Sequence, residues 1–152
     1  MEVFNLRLNN RRLVLSVFLA GTLIGASASV AFAATATSNP YNYGPVNGYS
    51  YYNEASVSSD SGLVEANTSA SNVSPVNVPT GYIGVAEALF NSSNQVITTR
   101  DWIYNNIPAV GIGYSTSGIS TSGTYYSKGY SQAFNGSGYT MYNTNRSPNI
   151  NY

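Results

Sequence analysis

Cysteine and histidine are both absent from the 152 residues of this sequence. Without them the chain cannot form disulfides, a Ser-His-Asp or Cys-His nucleophilic site, or an ordinary zinc site. A phosphate-binding loop is also missing, and Gly111-Ile112-Gly113 is only a fragment of a dinucleotide-binding fingerprint. We therefore expect no catalytic residue, no metal site and no cofactor, and we predict that the chain is not an enzyme.

Charged residues are scarce, at 8% of the chain. The part that follows residue 33 has five acidic residues against three basic ones, a formal charge of −2. They are Glu54, Asp60, Glu65, Glu87 and Asp101 against Arg100, Lys128 and Arg146. The sequence shows no basic patch that could follow a nucleic-acid backbone and no polybasic segment that favours anionic lipid. We therefore expect neither nucleic acid nor a membrane surface as a partner.

Residues 1–33 have the three parts of a secretory signal peptide. Arginines precede an apolar run at residues 13–24, and an A-x-A cleavage site ends at Ala33, before Ala34. Because a membrane span needs roughly 20 apolar residues, this shorter run predicts cleavage between Ala33 and Ala34 and not a permanent anchor. The pair Arg11-Arg12 leaves both the general and the twin-arginine export routes open.

The predicted location is therefore extracellular. The C-terminal residues 146–152 are polar, with neither a hydrophobic tail nor a wall-sorting signal. We expect a secreted protein that is released or only loosely held on the cell wall, with no stable membrane anchor after cleavage. A cysteine-free exported chain is more typical of a bacterium than of an animal, and the long leader favours a Gram-positive one.

Two regions of different composition follow the leader. Residues 34–61 are poor in aliphatic side chains and rich in Tyr, Asn and Ser, without a clear period, which predicts a flexible low-complexity segment. Its tyrosines could form an adhesive element or belong to a mere spacer. The β-domain is predicted to span residues 62–152, with its best-defined part at 81–146. Short strands are predicted at 62–66 and 73–78.

The best hairpin signal is a pair of strand-length runs at 82–90 and 96–104, joined by the Asn/Ser turn 91–94. If Asn91 pairs with Gln95, Gly84 lies opposite Trp102 and both faces of the hairpin are apolar. One face carries Ile83, Val85, Leu89, Ile97 and Ile103, and the other carries Tyr82, Phe90, Val96, Trp102 and Tyr104. Two apolar faces need partial cover on both sides, which favours a β-sandwich.

Three more strands are predicted at 110–115, 124–134 and 139–144, separated by turns rich in Gly, Ser and Asn. The second of them is expected to be interrupted at Lys128-Gly129. Strands at this spacing are typical of an antiparallel all-β domain. The predicted architecture is a small antiparallel β-sandwich, preceded by the signal peptide and the flexible segment.

Several stretches of residues 81–152 carry a resemblance: Gly81 to Asn94, Trp102-Ile103-Tyr104-Asn105, Gly123 to Gly129 and Asn135 to Tyr139. In turn placement and rhythm they resemble a group of small, uncharacterised exported β-rich proteins of Gram-positive bacteria, which implies no particular activity. A fainter similarity, in the aromatic and Gly/Ser-rich strand pattern after a leader, is to lactococcin 972-type bacteriocins. That resemblance implies a small β-sandwich, although the His-containing stretches of that family are missing.

Two groups of side chains are candidates for function. Tyr82, Trp102 and Tyr104 could form a flat platform that stacks against the apolar face of a sugar ring, and the alternative is ordinary cross-strand packing. Glu87 and Asp101 are the only acids in the hairpin, and its predicted register puts them on one face. Such a pair could hydrolyse a glycosidic bond, and the alternative is a polar pair at a sheet edge.

The expected function is that of a secreted, non-enzymatic β-domain that acts by contact with the cell envelope, a carbohydrate or a protein. Its expected partner is cell-wall carbohydrate or a surface protein. A bacteriocin-like secreted polypeptide is the alternative, and a carboxylate-based glycan hydrolase is a remote one.

Overall fold

The computed structural model describes residues 33–152. The predicted signal peptide therefore lies outside the described residues, apart from its last residue, Ala33. Ala34, on the other side of the predicted cleavage site, begins the first β-strand. Within residues 33–152, no helix is long and apolar enough to cross a membrane.

Ten β-strands make up the fold of the described residues, which contain no helix. The strands are β1 (Ala34–Thr37), β2 (Tyr41–Val46), β3 (Tyr49–Asp60), β4 (Leu63–Asn72), β5 (Ile83–Asn91), β6 (Val96–Tyr104), β7 (Gly111–Ser115), β8 (Thr124–Phe134), β9 (Tyr139–Asn143) and β10 (Ile150–Asn151). Every strand pair is antiparallel. The predicted antiparallel all-β class is thus confirmed.

The first sheet has the strand order β1-β3-β4-β7, with β2 also paired to β3. Strand β2 pairs with residues 49–53 of β3, and β1 pairs with residues 56–59. Two short strands therefore share one edge of the long strand β3. Strand β4 pairs with the other edge of β3, and β7 is the free edge strand of this sheet.

The second sheet has the order β10-β8-β5-β6, with β9 also paired to β8. Strand β10 pairs with residues 124–125 of β8, and β9 pairs with residues 130–134. Strand β6 is the free edge. The two sheets thus follow the same plan, with two long central strands, one edge divided between two short strands, and one free edge.

Side chains from both sheets share the hydrophobic core. One cluster contains Tyr43, Val46, Tyr51 and Ala70 from the first sheet, Ile83, Val85 and Ala133 from the second, and Val78. Another contains Val57, Val64, Ala66, Leu89, Tyr125 and Ile150. Between them, Thr68 is paired with Ala55 in one sheet and Glu87 with Gly129 in the other, and all four are buried. The middle of the interior is therefore polar and lined by small residues.

The prediction of a flexible segment at residues 34–61 is wrong. These residues form β1, β2 and β3, and every second residue of β3 from Tyr51 to Ser59 is buried. Because Asn53 and Ala55 are among the buried residues, the period of two appears in burial but not in hydrophobicity. The β-domain accordingly begins near Ala34 and not at residue 62.

Two turns carried a local signal for these missed strands. Asn47 and Gly48 connect β2 to β3 with φ values of 48° and 86°. Ser61 and Gly62 connect β3 to β4 with φ values of 50° and 79°. Two consecutive residues of positive φ are what a tight hairpin turn requires, and Asn-Gly is the sequence that adopts it most readily.

The remaining strand predictions are mostly confirmed. Strands β7, β8 and β9 correspond to the predicted strands at 110–115, 124–134 and 139–144. Strand β8 continues through Lys128-Gly129 without the expected interruption. The predicted strand at 62–66 is part of the longer β4, whereas 73–78 is irregular and Val78 makes only an isolated bridge.

The β5–β6 hairpin is confirmed, but its register differs from the prediction. The backbone N–H of Asn91 donates to the carbonyl of Gln95 at 3.0 Å, as expected. Two irregularities then shift the pairing, one between Leu89 and Phe90 and one between Val85 and Glu87. As a result Gly84 pairs with Tyr104 and not with Trp102. The pairing from the turn alone could not include bulges further along the strands.

The cover predicted for both faces of the hairpin is incomplete along β6. Ile97 and Val96, predicted to lie on opposite faces of the hairpin, are 41% and 54% exposed. Both residues lie at the start of the free edge strand. By contrast β5 is central, and its residues 83–89 are all buried. In the hairpin, therefore, β5 is the strand whose two faces are both covered, as predicted.

Candidate functional site

The outer face of the second sheet is built around the small residues of β5. Alternate residues Ile83, Val85 and Leu89 point into the core, so Gly84, Ala86 and Ala88 lie on the opposite face. These small residues leave room above the centre of the sheet. Aromatic rings from the strands on either side fill that room.

Tyr104 lies directly over Gly84. A methyl group added at Gly84 would approach Tyr104 Cε1 to 2.5 Å, so only glycine accepts the ring at this distance. The Tyr104 hydroxyl donates a hydrogen bond to Gln132 Oε1 at 2.6 Å, which anchors the ring across β5 to β8. Burial of Tyr104 raises the pKa of its hydroxyl, with a smaller contribution from Tyr139, so the ring stays neutral.

Trp102 and Tyr104 form a nearly parallel pair of rings. Their centroids are 6.4 Å apart and their planes differ by 26°. Tyr130 reaches Trp102 from β8 at 6.5 Å, and Tyr139 reaches Tyr104 from β9 at 5.0 Å. Tyr130 and Tyr139 are 39% and 43% exposed. We call the surface formed by Trp102, Tyr104, Tyr130, Phe134 and Tyr139 the aromatic face.

The predicted platform residues all belong to one continuous group of rings. Tyr82 contacts Phe134 at 5.0 Å, and Phe134 contacts Tyr139 at 5.8 Å. Tyr82 is thus linked to Tyr104 only through these two residues, and its own ring also packs against the core. Trp102 and Tyr104 are adjacent as predicted, whereas Tyr82 lies at the end of the group.

The platform prediction missed Tyr130, Phe134 and Tyr139. The sequence of β8 nevertheless carries the signal, because its alternate residues are Tyr126, Lys128, Tyr130, Gln132 and Phe134. A strand places alternate residues on one face, so this pattern indicates an aromatic outer surface. What it could not indicate is that the rings from β6, β8 and β9 converge over β5.

A second aromatic group lies at the hairpin end of the same face. Phe90 and Tyr126 stack with centroids 5.0 Å apart and planes 7° apart. The guanidinium of Arg146 lies 3.7 Å from the centroid of Tyr126, a cation–π contact. The exposed Lys128 follows Tyr126 on the same face of β8 and precedes Tyr130.

Glu87 and Asp101, the predicted acid pair, lie in different surroundings. The prediction that they share a face is wrong, because the shifted register pairs Glu87 with Arg100. Glu87 is 2% exposed and points into the interior, whereas Asp101 is exposed on β6. The bulge between Leu89 and Phe90 changes which residue of β6 pairs with Glu87.

The carboxyl group of Glu87 is buried without a hydrogen-bond partner among residues 33–152. Burial raises its pKa to about 7, and the opposing influence of Arg100 is smaller. Three other polar atoms of the interior, the Tyr51 hydroxyl, Asn53 Oδ1 and Thr68 Oγ1, also lack a partner within the described residues. A buried carboxyl of this kind is most stable in its neutral form.

Arg100 is paired with Glu87 across the β5–β6 hairpin, but its side chain extends to the first sheet. Its Nη1 donates to the carbonyl of Ser115 at 3.3 Å, and its guanidinium lies 4.4 Å from the ring centroid of Tyr114. Both partners belong to β7, the free edge of the first sheet. Arg100 therefore connects the two free edges, β6 and β7.

Among residues 33–152, no three carboxylate, histidine or cysteine side chains come close enough to hold a metal ion. Comparisons with protein-family models, with curated proteins and with solved structures find no match to the chain. The aromatic face is therefore identified as the candidate site from its own geometry.

Proposed function

We propose that this chain is a secreted, non-enzymatic β-sandwich domain that acts by contact, and that it binds carbohydrate of the cell envelope. The observation that carries the proposal is the aromatic face. Its rings lie over the small residues of β5, and Trp102 and Tyr104 present two nearly parallel rings on one side of the sheet.

The chemistry of the face suits a sugar. A pyranose ring offers a flat patch of C–H groups, which packs well against an aromatic ring. Its hydroxyls need hydrogen-bonding groups at the rim of the platform. Gln132 and Lys128 flank Tyr130 on β8, and Asn143 lies opposite Tyr130 on β9. Ligand sites commonly place a small number of polar groups around an apolar surface, and these groups fix the orientation of the ligand.

Secretion is the part of the proposal that rests on residues 1–33. The leader supports export and cleavage after Ala33, with the product released or loosely associated with the cell wall. An extracellular location would put the aromatic face in contact with envelope polysaccharides. The bacterial, Gram-positive origin is part of the same proposal.

The two rival functions have less support. A glycan hydrolase would need two cooperating carboxyl groups, but Glu87 is buried and Asp101 is exposed on the neighbouring strand. Among residues 33–152, no specific arrangement of side chains favours a bacteriocin-like activity. A contact protein needs only the surface that is described.

The test uses the fact that Trp102 is the only tryptophan of the chain. Soluble fragments of peptidoglycan and neutral oligosaccharides are titrated into the cleaved protein while tryptophan fluorescence is recorded. Stacking of a sugar on Trp102 should change both the intensity and the emission maximum. Sedimentation with insoluble peptidoglycan gives an independent binding measurement. It also applies to Trp102→Ala, a variant that has no tryptophan fluorescence.

A matched pair of variants separates binding from stability. Tyr130→Ala removes a ring of the aromatic face, and Tyr41→Ala removes a ring of similar exposure, 43% against 39%, from β2. We expect Tyr130→Ala to weaken binding about tenfold and Tyr41→Ala to leave it unchanged, since loss of a stacked ring typically costs about 1 kcal/mol or more. Equal affinities of the two variants at equal melting temperatures would contradict the proposal.

Enzymatic activity has its own control. The same polysaccharides are incubated with the protein and assayed for newly formed reducing ends. We expect none to appear. Turnover that is lost in Glu87→Gln or Asp101→Asn, with the fold retained, would show that the chain is a hydrolase and not a contact protein.

A further inference from the structure

The charges of the described residues are divided between the outer faces of the two sheets. On the first sheet, Glu54 and Glu65 lie on the outer face, and Asp60 ends β3. On the second sheet, Lys128 and Arg146 lie on the outer face. The remaining cation, Arg100, is directed to the β7 edge.

The two cations are placed among the rings of the second sheet. Along the outer face of β8, Lys128 lies between Tyr126 and Tyr130. Arg146 stacks on Tyr126, and its Nη2 donates to Asn149 Oδ1 at 2.7 Å, which holds the guanidinium in place. A ligand that extends from Trp102 along β8 therefore meets first Lys128 and then Arg146.

The acids of the second sheet lie on other strands than Lys128. Glu87 lies on the other face of the sheet, buried in the interior, with a pKa raised to about 7 by burial. Asp101 is exposed on the edge strand β6, two strands away from β8. The outer surface of β8 is thus positive although the formal charge of residues 34–152 is negative.

We propose that the ligand of the aromatic face is an anionic glycan, whose sugar rings stack on Trp102 and Tyr104 and whose negative groups lie beside Lys128 and Arg146. This inference rests on the proposed function and names the class of carbohydrate. A neutral glycan would use the rings alone. Positive side chains beside a stacking surface attract and orient an anionic ligand and repel cationic ones.

The experiment compares one polymer in two charge states. Polygalacturonate and its methyl-esterified form share a backbone, but the ester has lost the negative charge. Their affinities are measured by Trp102 fluorescence at about 0.05 M and about 0.5 M salt, because screening acts on exposed charges over this range. We expect the acid form to bind more tightly at low salt and to lose that advantage at high salt.

Charge variants on opposite faces show where the effect arises. Lys128→Gln and Ser56→Glu lower the net charge by the same amount, the first on the outer face of β8 and the second on the outer face of β3. We expect Lys128→Gln to weaken binding of polygalacturonate roughly 3- to 10-fold and Ser56→Glu to leave it within about twofold. Lys128→Arg should restore the affinity. A polyglycerol phosphate arm offers negative charge without sugar rings, so we expect it to bind more weakly than polygalacturonate, and equal or tighter binding would overturn the glycan assignment.

The possible failures are distinguishable. Equal affinity for the acid and the ester, or equal effects of Lys128→Gln and Ser56→Glu, would overturn the anionic specificity and leave the proposed function standing. No binding to any polysaccharide would overturn the proposed function and this inference with it. Concentration-dependent self-association that is weakened by both Lys128→Gln and Glu54→Gln would identify a second copy as the partner and overturn the glycan assignment.

Discussion

The two sheets follow the same strand plan but differ in the side chains that lie on their outer faces. Strands β3 and β4 of the first sheet alternate strictly between buried and partly exposed residues. Their outer residues include Ser56, Ser58, Asn67 and Ser69, which are small and polar. The central strand β5 of the second sheet is buried on both faces, because rings from its neighbours lie across its outer side.

This difference teaches how a small domain can prepare a contact surface. The first sheet needs no aromatic cover on its outer face, since the outer residues of β3 and β4 are mostly polar and partly exposed. The second sheet covers its centre with its own aromatic side chains, and the solvent-facing sides of these rings remain available. The same rings therefore stabilise the sheet and offer a surface, so the packing and platform hypotheses for Trp102 and Tyr104 are compatible.

The largest expected effect concerns the interior between the two clusters. In Gly129→Ala the new methyl would overlap Thr68 of the first sheet and lie 2.6 Å from the carbonyl oxygen of Ala86. We expect a loss of about 3 kcal/mol in the free energy of unfolding, because a rigid backbone atom cannot give way. Urea unfolding measures it. Gly113→Ala on β7 is the control, since its methyl would meet only ordinary contacts of 3.5 Å or more.

The second effect is the pH dependence caused by Glu87. The pKa of about 7 in the folded protein is above the ordinary value of 4.5, so the neutral carboxyl of Glu87 contributes its full stabilisation below pH 4.5. As the pH rises through the folded pKa, this contribution is lost, by about 2–3 kcal/mol. Unfolding experiments between these pH values measure the slope. Glu87→Gln should remove it, and an unchanged slope would mean that another group titrates.

A smaller effect compares single rings on the two outer faces. Trp102→Ala uncovers part of β5, whereas Tyr52→Ala removes a ring from the outer face of β3. We expect a loss of about 1–2 kcal/mol for Trp102 and about 0.5 kcal/mol for Tyr52, because half-buried rings lose less than the core value. Thermal unfolding of both variants tests this difference. A larger loss from Tyr52→Ala would reverse the comparison of the two sheets.

The smallest effect is expected on the outer face of the first sheet. Ser56→Thr keeps the hydroxyl and adds a β-branched side chain to a central strand, so the change in unfolding free energy should stay within about 0.5 kcal/mol. Melting curves of this variant and of the unchanged protein provide the measurement. A large loss would indicate that this face is more tightly packed than its partial exposure suggests.

Large hydrophobic residues and turn residues made much of the second sheet predictable. The hairpin β5–β6 and the strands β8 and β9 could be placed from apolar runs bounded by Asn, Ser and Gly, as could β7 at the free edge of the first sheet. The other strands of the first sheet were largely missed by the sequence-based prediction, because their buried positions include Asn53, Ala55 and Thr68, which do not stand out by hydropathy. Burial there follows from small size and from the Asn47-Gly48 and Ser61-Gly62 turns.

The candidate site was predictable to a similar extent. Trp102 and Tyr104 are two residues apart on one strand, so their shared face follows from the strand period alone. Tyr130 and Tyr139 join them from distant parts of the chain, through the pairings of β8 with β5 and of β9 with β8. No local pattern could show that these rings meet over Gly84 and Ala86.

The sequence by itself determined the all-β class, the principal hairpin, and the absence of imidazole and thiol chemistry, because these depend on composition and on neighbours along the chain. Tertiary structure alone decided which carboxyl group is buried, which rings form the aromatic face, and where the cations lie relative to them. Bulges that shift β6 by two residues separate Glu87 from Asp101, and strand order brings β6, β8 and β9 together over β5. Such long-range pairings depend on the whole set of strand contacts, which no short stretch of sequence contains.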